Sequence, residues 1–352
     1  PNRGDCLSLH GLSRDLNIFF GKSDCISIYE EPIENLEIEF ENLSPSDCPK
    51  ISFLEIEIEE ITSFYQPYLE NYFNEIGNKK TNLFTDISNF ISYELGQPTH
   101  CFDREAIKSK LIFENKICNN NFKTLLGSEV NLTDSNCIFS SNNQIISLAG
   151  VVGGASTACS KSTKKVLVEC AYFKPELIIG KSVKYNINSE ASHKFERGVD
   201  PTVHEKVLRR FIQIIKEHVP IRKLKLVSFG ETPKQKVIEF DYSKINSILG
   251  SNISEREIID KLNKLGFLID KSLHIPQHRH DISSQNDIAE EIARVIGYNN
   301  IESRIFEIPP MGNENFNIKE EKIKNFLIQH GFYEVINDPF VPNGDNSSVK
   351  ID

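Results

Sequence analysis

No stretch of this sequence approaches the roughly 20 consecutive apolar residues that cross a bilayer, and no signal peptide opens it. Those absences point to a cytoplasmic protein with no membrane partner. None of the eight cysteines forms a C-x-x-C pair, and they are scattered along the chain. That argues against a zinc ribbon and against a dense disulfide scaffold, and leaves reduced thiols as the simplest reading. Basic charge is not in excess either. The formal net charge of −10 does not favour non-specific nucleic-acid binding. One local basic surface stands out, "KVLRRFIQIIKEHVPIRKLK" at 206–225. There is no internal repeat and no strong low-complexity tract. The chain does not begin with Met, so it is read as a fragment or as numbered from an internal residue.

What is present fits two or three domains: 352 residues exceed one ordinary core. Asp5 is a plausible N-cap for a helix in "GDCLSLHGLSRDLNIFF" (4–20). "NLEIEFEN" (35–42) and "SFLEIEIEEI" (52–61) alternate apolar and acidic residues, the pattern of half-exposed strands. Helices are expected over 63–77 and 83–95, ending at Gly77 and Gly96. Short strands and turns fill 109–170, and helical patterns return over 174–187, 189–198 and 201–219. A linker at 229–236 leads to a compact unit with strands at 237–240 and 273–276 and helices at 242–248, 254–267 and 286–297. A second linker at 307–315 precedes the start of a third domain.

Several stretches are chemically suggestive. "ELGQPTHCFD" (94–103) puts His100 just beyond a rigid Gly-Pro turn, with Ser88 and Asn89 one helical segment earlier. "AGVVGG" (149–154) runs a strand into paired glycines, which make a turn or admit a close approach. In "VLVECAYF" (166–173), strand alternation turns Glu169 away from Val168 and Cys170. It is then either an outward-facing acid or a buried one with a partner, since an unpaired buried carboxylate is costly. "NSEASHKFERGVDP" (188–201) carries polar residues around Ala191. Near the C-terminal end, Asp281, Asp287, Glu290 and Glu291 offer oxygens suited to a hard cation such as magnesium, or simply favour a helix N-terminus. His278 and His280 lie on one side of an extended segment; zinc there lacks an evident third soft ligand.

Taken in order, "PNRGDCLSLHGLSRDL", "DISNFISYELGQPTHCFD", "LAGVVGG", "VLVECAYF", "SEASHKFERGVDP" and "HRHDISSQNDIAEEIARVIGYNNI" resemble the beta subunit of bacterial phenylalanyl-tRNA synthetase over nearly the whole chain. The resemblance implies an α+β fold. Residues 1–228 would form a mixed α/β B3/B4-type editing module that hydrolyses mischarged tyrosyl-tRNA(Phe), and 235–303 a winged-helix-like B5 module. Residues 314–352 would begin a class II catalytic-like domain. The implied partners are tRNA(Phe) and an alpha subunit in an alpha2beta2 heterotetramer, with phenylalanine activation and ATP use on the alpha subunit.

Residue by residue, the resemblance gives His100, Asn89 and Ser88 to the hydrolytic centre and Glu169 to the tyrosine hydroxyl. It gives Gly153 to the space for the ring, and Ser189 and Ala191 to the pocket wall. Asp281, Asp287, Glu290 and Glu291 match the family's magnesium acids. Ser88 and Ser189 stand where the family has threonines, and Cys101 where a small residue is usual. The other reading is a module of the same ligase that positions RNA without hydrolysing anything. A Glu169 pointing to bulk solvent would favour that scaffold.

Overall fold

The computed structural model describes residues 2–21, 26–303 and 318–336. They fall into two units, Pro1–Glu302 and Ser303–Asp352. The first holds two five-stranded sheets, a layer of helices and a smaller, mainly helical unit. The expected linker at 307–315 lies outside the described residues.

A five-stranded sheet runs in the order β1 (Glu34–Asn35), β12 (Ile221–Gly230), β3 (Lys50–Ile58), β11 (Lys165–Tyr172), β4 (His100–Asp103). All its pairings are antiparallel except β1 with β12. A second sheet has the order β10 (Val152–Gly153), β9 (Gln144–Leu148), β8 (Ser135–Ser141), β5 (Leu111–Ile117), β2 (Phe40–Asn42). The hairpin β6 (Asn120–Lys123) and β7 (Glu129–Leu132) stands beside it.

Alternate residues of β3 and β11 serve different cores. Phe53, Leu167 and Ala171 join Phe102, Phe113 and Phe139 between the two sheets. Leu54, Ile56, Val166 and Val168 pack beneath helices α2 (Pro67–Ile76), α3 (Leu83–Leu95) and α7 (His204–His218). Short helices α4 (Pro175–Ile178), α5 (Lys181–Tyr185) and α6 (Glu190–Phe195) follow β11. The result is three layers: helices, sheet, sheet.

This layering corrects one expectation. β3 is not half-exposed; it is a central strand covered on both faces, and Glu55 is only 4% exposed. Its charge is met by Arg104 at 3.0 Å and Lys165 at 3.3 Å. The 35–42 stretch is not one strand either, but two short ones in different sheets. The first helix, α1 (Leu9–Phe20), is capped by Ser8, whose hydroxyl accepts from the Gly11 amide at 3.0 Å. Asp5 is instead held by Arg3 and Arg14.

Helices α8 (Tyr242–Leu249), α9 (Glu255–Lys264) and α10 (Gln285–Ile296) surround a small sheet of β13 (Val237–Ile238), β15 (Leu273–His274) and β14 (Leu268–Ile269). Their shared core takes in Ile18 of α1. In the second unit, α11 (Ile318–Gln329) is the described helix.

Candidate functional site

The turn at 96–99 is fixed from three sides. Gly96 ends α3 in the left-handed conformation, φ 81°. Gln97 is 1% exposed and donates to the carbonyls of Pro98 (2.9 Å) and of Ala171 on β11 (3.1 Å). Ser88 on α3 donates to the Thr99 carbonyl at 2.7 Å and lies 2.8 Å from the Thr99 hydroxyl. Lys194 of α6 donates to the Ser92 carbonyl at the end of α3. Gln97→Leu removes two donors from carbonyls in a buried place, and is expected to lower stability by about 1–3 kcal/mol in thermal unfolding.

His100 thus enters β4 with its backbone set. It pairs in register with Glu169 of β11, so the two side chains share one face of the sheet. Phe102 and Phe53 lie on that face, which looks into the space between the sheets. The His100 ring meets Phe102 edge-on, centroids 4.4 Å apart. Its Nε2 is sealed from solvent and has no hydrogen-bond partner among the described residues. Burial lowers the imidazole pKa to about 4, so the ring is neutral at physiological pH.

Glu169 is 5% exposed and makes no hydrogen bond or ion pair with a described residue. Neither reading of this acid from alternation holds, because it is neither outward nor paired. Burial raises its pKa to about 8, so the carboxyl carries its proton at neutral pH. Two polar groups, both neutral and both without partners among the described residues, therefore sit side by side in an apolar layer. Such groups are rare in a fold that only needs to be stable.

Across from them lies Gly153 on β10. A Cβ there would meet His100 Cε1 at 2.1 Å and Leu125 Cδ2 at 2.8 Å, so no other residue type fits as the site stands. The space over this glycine is held by those two side chains. Ser189 caps α6 and donates to the Val151 carbonyl at 2.7 Å, fastening α6 to the β9–β10 turn. Ala191 packs against the inter-sheet core.

The structure therefore brings together His100, Glu169 and Gly153, with Ser189 and Ala191 on the adjoining element. Ser88 reaches the site only through Thr99. Asn89 is exposed, one helical step from Ser88 and rotated about 100° from it, and its side chain makes no hydrogen bond to a described residue. Sequence reasoning missed Leu125. Its hairpin is rich in asparagine and reads as an ordinary turn. It also passed over Gln97, whose place in the "GQPTH" turn was the available signal.

The acids of the smaller unit are arranged for other work. Asp281 takes both oxygens to Arg279, at 2.9 and 2.8 Å. Glu291 accepts from Arg279 at 2.7 Å and from Arg294 at 2.8 and 3.2 Å. Burial would raise its pKa, but the two guanidinium groups pull it down to about 2. Asp287 accepts from the Ser283 and Ser284 amides at 2.7 and 2.8 Å, capping α10. Glu290 is exposed. As placed, these four do not fit magnesium: Asp281 and Glu291 have both oxygens committed to arginine, and Asp287 gives one of its oxygens to the start of α10. Among the described residues no group of three or more His, Cys, Asp or Glu is placed to hold a metal. His280 stacks on Tyr172 and lies 2.9 Å from the Val199 carbonyl, while His278 lies 3.9 Å from Asp200, so both join the smaller unit to the larger.

The basic stretch at 206–225 is largely neutralised. Arg209, Arg210, Lys216, Arg222 and Lys225 each pair with a glutamate. Among the described residues no disulfide forms and no helix is long and apolar enough to cross a membrane.

The layered unit and the smaller helical unit correspond to two described domains. The B3/4 domain model matches residues 58–220, and the tRNA synthetase B5 domain model matches 238–298. A chain carrying both in this order is of the aminoacyl-tRNA synthetase class. Phenylalanine–tRNA ligase beta subunits align with 97% of it: that of Pectobacterium atrosepticum at 26% identity, and those of Haemophilus ducreyi and Shewanella oneidensis at 28%. The chain belongs to the phenylalanine–tRNA ligase beta-subunit family. It spans 44% of the length of these curated relatives. A crystal structure of an N-terminal fragment of the Pyrococcus horikoshii phenylalanyl-tRNA synthetase beta subunit covers 84% of this chain and 85% of that one, with 15% identity and a TM-score of 0.40.

Proposed function

We propose that this chain is the editing part of a phenylalanine–tRNA ligase beta subunit, and that the site between its sheets hydrolyses tyrosine from mischarged tRNA(Phe). The partners in this reading are tRNA(Phe) and an alpha subunit in an alpha2beta2 assembly, with ATP and amino-acid activation on the alpha subunit. The editing module spans 1–228, the winged-helix-like B5 module 235–303, and a class II catalytic-like domain begins at 314.

The observation that carries the reading is Glu169, buried and without a partner beside His100. Phenylalanine and tyrosine differ by one hydroxyl, which an apolar synthetic pocket rejects poorly. A second site must prefer that hydroxyl. A protonated carboxyl both donates and accepts, so it satisfies a phenolic O–H in either direction. Phenylalanine would leave Glu169 with nothing to bond, at the cost of a buried unpaired polar group. In hydrolysis, water adds to the ester carbonyl carbon, and the tetrahedral adduct expels the ribose oxygen, which takes up a proton. His100, with its pKa near 4, is a weak base at neutral pH. It suits orienting the water or the terminal ribose better than removing a proton. The neighbouring hydroxyl of the terminal ribose is the other candidate, relaying the water's proton by passing its own to the leaving oxygen.

Deacylation of tyrosyl-tRNA(Phe) and phenylalanyl-tRNA(Phe) by this chain tests the reading. The expected result is selective loss of tyrosine, with Glu169→Ala lowering kcat/KM for the tyrosyl ester roughly 10- to 100-fold. A folded chain that binds tRNA and hydrolyses neither ester would be the scaffold alternative.

A further inference from the structure

We infer that Leu125, at the tip of the β6–β7 hairpin, is a specificity-determining residue of this site, supplying the apolar wall against which an aromatic aminoacyl ring lies. The inference rests on the hydrolytic reading above. The hairpin is fastened to the site by its backbone. Leu125 donates its amide to the Gly153 carbonyl at 2.9 Å, and Thr124 bridges Gly154. Phe122 is 3% exposed and sinks into the inter-sheet core below. A Cβ on Gly154 would meet its ring at 3.0 Å, as one on Gly153 would meet Leu125 at 2.8 Å. The paired glycines are thus the seat of the hairpin. Thr124, fully buried, lies 2.8 Å from the Ser128 hydroxyl, and Gly127 turns the chain with φ 86°.

Leu125 itself remains 43% exposed, although its backbone is held and one side of it lies over Gly153 beside His100. A leucine held by its amide rather than by burial contributes little to the fold and presents a free apolar surface beside two unpartnered polar groups. Its chemistry complements theirs. Glu169 reads the hydroxyl, whereas a leucine methyl contacts the ring of phenylalanine and tyrosine alike. Leu125 therefore sets how tightly an aromatic residue is held over a small aliphatic one, and leaves the tyrosine-to-phenylalanine choice to Glu169.

The test compares wild type, Leu125→Ala and Leu125→Met in deacylation of tyrosyl-, phenylalanyl- and alanyl-esters of tRNA(Phe), with thermal unfolding alongside. Leu125→Ala is expected to raise KM for the tyrosyl ester roughly 10-fold. Its kcat should stay within about twofold and its tyrosine-to-phenylalanine ratio should hold, with the preference over alanine reduced. Leu125→Met should restore KM, and the melting temperature should not move. An unchanged KM, or parallel losses of kcat and melting temperature, overturns the inference while the hydrolytic reading stands. Wild type inactive on every ester overturns both.

Discussion

Glu169→Gln is expected to remove a pH-dependent loss of stability worth several kcal/mol. Below pH 4.5 the acid is protonated in the folded and unfolded chains alike. Above that, the unfolded chain ionises while the fold keeps the proton, so stability falls as pH rises. The fall ends once the folded group ionises near pH 8. At about 1.4 kcal/mol per pH unit the interval amounts to on the order of 5 kcal/mol. The glutamine side chain of the variant cannot ionise, so the variant does not lose stability in this way. The titratable groups nearest the acid do not confuse the comparison: His100 titrates near pH 4, burial keeps the Cys48 and Cys170 thiols protonated, and all three are common to both proteins. Urea unfolding of both chains from pH 4 to pH 9 should show the variant gaining steadily on wild type. A difference that stays constant across that range would mean that water reaches Glu169 and that the site is not sealed.

Arg279→Met should have an effect of similar size and opposite sign. Arg279 is 3% exposed and neutralises Asp281 and Glu291 together. Glu291 also holds Arg294, which reaches Asp15 of α1 at 2.7 Å. Asp15 in turn holds Arg3. The charges therefore form a chain that joins the N-terminal helix to the B5 domain. Removing one partner of a buried pair leaves an uncompensated charge and costs about 3–5 kcal/mol. Thermal unfolding of the 352-residue chain measures it. Adding Asp281→Asn should recover part of the loss. Neither magnesium nor its removal by EDTA is expected to shift the wild-type melting temperature, because the oxygens of Asp281 and Glu291 already accept from arginine. A melting temperature that climbs with magnesium would show the metal displacing those arginines.

Much of this architecture was legible in the chain. α3 and α10 carry helical periodicity and terminal signals strong enough to be read directly. So was the Gly96–Pro98 turn, because Gly and Pro restrict the backbone through local sterics alone. The motifs identified the family residue by residue. Other expectations failed where a local pattern met a neighbour it does not encode. Alternation in β3 correctly separated two faces, but not that both would be covered, or that Arg104 and Lys165 would neutralise Glu55. Asp5 and Ser8 are both good caps, and the arginines that claim Asp5 decided between them.

The sequence by itself determined most of the elements, the order of the B3/4 and B5 domains, and which side of its strand Glu169 would face, since these follow from backbone geometry, residue spacing and motif order. Only the tertiary structure decided that this side is an interior. The second sheet closes over it, burying Glu169 and the Nε2 of His100 without partners among the described residues. It also seats a leucine from a distant hairpin on Gly153, because desolvation and close packing depend on what stands opposite a residue.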